Sequence, residues 1–165
     1  MTSSGSTLLF GAIPAELKPS ASEKRALGQF AKDLCARVTA SRPFTCLLAD
    51  DEHLQKLNSN FLGNDYPTDV LSFPNLDSKN ELGEIAISME RAAAQAAEFG
   101  HTCFDEVRIL MLHGVLHLTG LDHETGDGTM ALEEKRWRAE FALPETLIAR
   151  ASRPAKRAKT KRGAA

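Results

Sequence analysis

From Val107 to Leu118 the chain reads VRILMLHGVLHL. Wound as a helix, this segment puts apolar side chains on almost every side, so it has no face to give to water and must be buried inside a domain. Whatever the rest of the chain does, it has to build layers around this helix. A polar pair in such a place needs a reason, and the segment carries His113 and His117.

The longer stretch HGVLHLTGLDH holds three of the five histidines, His113, His117 and His123. It has the spacing of the zinc hydrolase pattern HExxHxxGxxH, with Gly114 where such proteases carry a glutamate. Residues four apart on a helix share a face, so His113 and His117 can offer two ring nitrogens to one ion at about 2.0 to 2.1 Å. Gly120 allows the left-handed exit that a Cβ would resist, and the turn brings His123 back as a third ligand. Three imidazoles with an open fourth position form the catalytic kind of zinc site; nickel, copper and iron are disfavoured only by geometry and availability. Histidines satisfied within the core are the alternative, and three at this spacing fit it poorly.

Gly114 has no side chain with which to move a proton. Zinc lowers the pKa of a coordinated water from about 15.7 to about 7, so the missing acid penalises mainly substrates with poor leaving groups, such as amides. A phosphodiester whose neighbouring 2′-hydroxyl attacks internally asks less of the protein. RNA cleavage is therefore compatible with the site without being selected by it. Asp122 or Glu124, beside His123, could act as a base, although acids on a turn more often orient ligands or face solvent. No catalytic acid or base is assigned.

The chain has 165 residues, of which 42% are hydrophobic and 25% charged, the size and balance of one domain with a sizeable core. It has no run of about 18 apolar residues and no charged leader into an apolar segment, so the expectation is a cytoplasmic protein without a membrane partner. Cys35, Cys46 and Cys103 are odd in number and widely spaced, which suggests ordinary thiols and neither disulfides nor a thiolate zinc cage. The net charge of −2 conceals seven Lys or Arg and no acid between Arg150 and Ala165, leaving about −9 on the rest. The division expected is a metallohydrolase domain over 1–149 and a basic, disordered tail over 150–165. The tail is either a solubilising terminus or an electrostatic arm for phosphate backbones.

STLLFGAI, PFTCLLA, DVLSF and LGEIAIS are strand candidates. Helices are expected from Ser22 (buried face Leu27, Phe30, Ala31, Leu34, Cys35 and Val38), from Asp50 or Asp51 to Gly63, and from Ser88 to Gly100. Others follow: one from Thr102 with a loose capping box to Asp105, one over Asp127 to Leu143, and a short last one opened by Pro144. No repeats occur, and the mixture points to an α+β fold. His53 and His101 are expected at the surface and Met130 in the packing.

Taken together, HGVLHLTGLDH, LNSNFLGNDYPTDVLSFP and LGEIAIS resemble the YbeY family of bacterial endoribonucleases, from about Phe44 to about Phe141. The resemblance implies a single-domain α+β, zincin-like fold with about four strands in a mixed sheet. It also implies one Zn2+ on His113, His117 and His123, and single-strand-specific cleavage of RNA in small-subunit ribosomal RNA maturation and ribosome quality control. The partner implied is ribosomal RNA or the small subunit, with no DNA. Thr68, Asp69 and Ser72 match the strand lining the cleft beside the metal, where they would bind substrate. Glu84 stands where the family usually has Asp. Leu62 stands where it typically has an arginine thought to serve RNA binding or catalysis, so either Lys56 or Lys79 serves instead, or nuclease activity is weak. A ribosome-associated zinc protein and, less well supported, a zinc peptidase are the competing classes.

Overall fold

The structure is a computed structural model describing residues 6–78, 80–121 and 128–144. In chain order the elements are β1 (Thr7–Phe10), a 3-10 turn (Ala15–Leu17), α1 (Ala21–Arg37), β2 (Phe44–Ala49), α2 (Asp51–Leu62) and β3 (Val70–Pro74). They continue with β4 (Gly83–Ser88), α3 (Met89–Phe99), α4 (Cys103–Leu118) and α5 (Thr129–Glu140). The four strands form one mixed sheet in the order β1-β2-β4-β3. β1, β2 and β4 run parallel, joined through helices, while β3 lies antiparallel to β4 across a short connection. The α+β expectation holds.

Local chemistry sets the boundaries. α1 starts at Ala21, because Ser20 and Glu23 form a capping box that the spacing of apolar residues did not reveal. Asp50 Oδ1 accepts the His53 N–H at 2.9 Å, and Gly63 closes α2 in the left-handed region. Ser88 and Gly100 bound α3 as expected. Thr102 caps α4 by accepting the Asp105 N–H, but Asp105 turns its carboxylate to Arg108. The 3-10 turn was not foreseen, and the helix expected after Pro144 lies outside the described residues.

The sheet separates two apolar clusters of unequal size. Cys46, Leu48, Val70, Ile85 and Ile87 point to the side that packs α1 and α4, forming the main core with Leu27, Met111, Leu112 and Met130. Leu71, Ala86 and Ala49 point the other way, against Leu54 of α2. Met130 is packing, as read from its spacing.

Eleven of the sixteen residues of α4 are buried, among them Leu110, Leu112, Gly114 and Leu116. It touches β3, β4, α1, α3 and α5. No helix among the described residues is long and apolar enough to cross a membrane. Cys35 and Cys46 are buried and Cys103 is half-buried, all as free thiols. Burial pushes the Cys46 thiol up to about 12. The Cys103 thiol is also raised, by burial first and then by the charges of Glu106 and Glu23.

One histidine corrects its sequence reading. His101 is not a surface residue: its side chain is 6% exposed, with Nε2 2.6 Å from Glu106 Oε1. Glu106 projects from α4 into the interior, where a carboxylate requires a polar partner, and the turn after Gly100 folds His101 back onto it. His53, in the first turn of α2, stays partly exposed.

Candidate metal centre

His113 and His117 lie one turn apart near the end of α4, and their Nε2 atoms face each other at 3.0 Å. Two imidazole nitrogens at that separation share either a proton or an ion. Ligands about 2.0 to 2.1 Å from a tetrahedral zinc would stand about 3.3 Å apart, so the pair is close to the required spacing. The rings meet edge-on, with 70° between their planes. Behind them, His113 Nδ1 is 2.8 Å from Glu134 Oε2 on α5, and Glu134 is only 1% exposed. A carboxylate on the far nitrogen of an imidazole is the usual backing of a metal-ligating histidine. The donor set therefore fits a zinc-type ion.

Past Leu118 the chain turns as its sequence requires, with Gly120 at φ +101°. His123, Asp122 and Glu124 lie outside the described residues. Among the described residues, no group of three His, Cys, Asp or Glu comes together as an ion site.

Gly114 has a second meaning beyond the missing acid. A Cβ built there would meet Ile85 Cγ2 at 2.9 Å and Ser72 Oγ at 3.3 Å. The helix lies this close to the sheet at the residue beside His113, and a glutamate has no room. Ser72 Oγ donates to the Gly114 carbonyl at 3.2 Å, tying β3 to the same turn of α4.

The two residues leading into β3 are also engaged within the protein. Thr68 is buried; Asp69, half-buried, accepts the Val70 N–H on Oδ1 at 2.8 Å and Gln95 Nε2 on Oδ2 at 3.0 Å. Asn58, fully buried, explains its place in LNSNF by donating to the Tyr66 carbonyl at 2.9 Å, which fixes the approach to β3. Leu62 is half-buried against the small Leu54–Leu71–Ala86 cluster, on the sheet face opposite α4. Lys56 lies exposed on α2, 3.6 Å from Glu52, and Lys79 is outside the described residues. Glu84 is exposed and lines a cavity of about 560 Å3 with Thr7, Thr45, Phe73 and Glu81, on that same face and apart from the histidines.

The residue missed from the sequence is Glu134. Its signal was present, because Met130, Glu134, Trp137 and Phe141 fall on one helical stripe and the carboxylate therefore points inward with the apolar residues.

The family model for endoribonuclease YbeY matches residues 18–140. The chain belongs to this family. A YbeY endoribonuclease of Solibacter usitatus is 50% identical over 146 residues, covering 88% of this chain and 95% of its own. One from Nautilia profundicola is 48% identical over 106 residues, or 63% of this chain and 76% of that protein. Among solved structures, that of TM1509 from Thermotoga maritima aligns with a TM-score of 0.56 at 25% identity, over 82% of this chain and 91% of the other. The YbeY fold places its central helix, with both described histidines, against the antiparallel edge of the sheet.

Proposed function

We propose that this YbeY-family protein is a zinc-dependent endoribonuclease that cuts single-stranded RNA during maturation of small-subunit ribosomal RNA in the cytoplasm. The observation that carries the reading is the convergence of His113 and His117 Nε2, backed by Glu134, in a chain whose curated relatives are named endoribonucleases. His123 is the third ligand of one zinc ion. When bound, zinc supplies positive charge for phosphoryl oxygens and acidifies nearby water.

The chain's own residues set the rest. Glu134 holds the Nδ1 proton of His113, so that Nε2 keeps its lone pair. Gly114 provides no acid, which suits an RNA whose 2′-hydroxyl is already in position to attack. Thr68 and Asp69 before β3 and Ser72 within it form the cleft wall, and since Thr68 and Ser72 are buried, their role is to hold its shape. The basic segment Arg150 to Arg162 contributes affinity for phosphates without regard to sequence.

A second reading, a ribosome-associated zinc protein with little nuclease activity, is favoured by Leu62, which packs against an apolar cluster and offers no cation where the family resemblance implies an arginine. A peptidase is disfavoured by the lack of space at Gly114. Single-turnover cleavage of single-stranded RNA, with and without chelator and with His117→Ala, decides between the first two. Chelator-sensitive cleavage lost in His117→Ala is expected; a zinc-loaded protein that leaves RNA intact favours the binding role.

A further inference from the structure

Glu134 is an expensive residue for its position. It is 1% exposed on α5, one turn from Met130 and close to Trp137 on the stripe that faces the core, where an apolar side chain would pack without desolvating a charge. Its Oε2 lies 2.8 Å from Nδ1 of His113, itself 8% exposed. An ionised carboxylate only accepts hydrogen bonds, so the nitrogen facing it carries the proton. The proton on Nδ1 leaves Nε2 as the ring's lone-pair nitrogen, and that is the atom 3.0 Å from His117 Nε2.

We propose that Glu134 is the positioning residue of the metal centre, holding His113 in the Nδ1–H tautomer with its ring turned so that Nε2 faces the ion. This rests on the reading that the histidines bind metal. The Nδ1–Glu134 contact lies between α4 and α5, so the ligand is anchored from a second helix and does not depend on its own rotamer preference. A ring free to flip or change tautomer would present the wrong nitrogen part of the time, and each such state weakens binding. Loss of a partner of this kind typically reduces metal affinity about 10- to 100-fold.

The test uses the full chain, with Glu134→Gln and Glu134→Ala, and three measurements. Zn2+ affinity is read by competition with a chromophoric chelator, the His113 tautomer by long-range 1H–15N spectra of the metal-free protein, and folding by thermal melting. The expected result is one equivalent of Zn2+ and an Nδ1–H His113 in the wild type. In Glu134→Ala the Kd for Zn2+ rises about 10- to 100-fold and the tautomer signals redistribute. Glu134→Gln falls between, because its amide oxygen still accepts from Nδ1–H. If Ala does not fold, the isosteric Gln variant decides the matter: a wild-type Kd with a wild-type tautomer in Gln then overturns the proposal, as the same result in a folded Ala variant does, and as Nε2–H in the wild type itself does. A lower melting temperature with unchanged Kd overturns it too, since that is a packing role alone. If the wild type binds no equivalent of Zn2+, the metal reading fails instead, a result separate from all of these.

Discussion

Replacing Gly114 with alanine sets two known effects against each other. Alanine in the interior of α4 gains about 1 kcal/mol of helix propensity over glycine. Against this, the new Cβ meets Ile85 Cγ2 at 2.9 Å and Cδ1 at 3.2 Å, with Ser72 Oγ at 3.3 Å. Neither neighbour retreats easily. Ile85 is 1% exposed on β4, whose backbone is bonded to β2 on one side and β3 on the other, and Ser72 is held by its bond to the Gly114 carbonyl. Overpacking of this kind costs about 1 to 3 kcal/mol, and the rigid surroundings favour the upper half of that range. The net expectation is a loss of about 1 to 2 kcal/mol, or about 2 to 8 °C in Tm for a chain of this size. The assay is denaturation of the chelated protein, so that metal binding does not shift the equilibrium. In an Ile85→Ala background, itself destabilised by the cavity it leaves, Gly114→Ala should cost less than in the wild type, with a coupling of at least about 0.5 kcal/mol. A Gly114→Ala protein as stable as wild type, or strict additivity with Ile85→Ala, refutes the close-approach argument.

Two further outcomes are expected, the first from a buried thiol and the second from the charge of the C-terminal sequence. The Cys46 thiol is raised from 9.0 to about 12 in the folded state, so above pH 9 the unfolded chain loses its proton first and stability falls until about pH 12. Urea titrations between pH 8 and 10.5 should show that decline, with up to about 1.4 kcal/mol per pH unit from this thiol, and Cys46→Ala should lessen it, leaving the smaller share of Cys103. Truncation after Ala149 should weaken RNA binding across unrelated sequences and flatten its salt dependence; an unchanged salt slope shows that the tail does not contact RNA.

Much of the fold was legible because its signals are local. Asp50, Gly63, Ser88, Gly100 and Thr102 each mark a helix boundary through their own chemistry, and the unbroken apolar character of 107–118 required a buried helix. What escaped depends on partners distant in the fold or on unexpected company. His101 reads as exposed in sequence because its burial is set by Glu106, a carboxylate that reads as part of a polar helix turn until α4 is packed. Glu134 was overlooked because one of three acids in a charged helix looks solvated, although its spacing from Met130 and Trp137 faces it inward. The pair His113 and His117 was read from spacing alone, whereas the reason for Gly114, contact with Ile85 and Ser72, required the sheet. Thr68, Asp69 and Ser72 came from resemblance; their bonds to Gln95 and Gly114 are tertiary and leave no trace in sequence.

The strand order also governs how the molecule is assembled in time. Among the described residues β1 pairs with β2 alone, so Thr7 waits for Thr45, and β2 pairs next with β4, so Phe44 waits for Gly83. At a synthesis rate of about 5 to 20 residues per second, each interval leaves a strand edge unmatched for about 2 to 8 s. The pairing of β3 with β4 is the one in the sheet that closes over a short loop. The hairpin that joins β3 to β4 therefore becomes available only when Ser88 has left the ribosome. Mutations that speed the β3–β4 hairpin should shorten the period in which the apolar strands PFTCLLA and VLSF are open to aggregation.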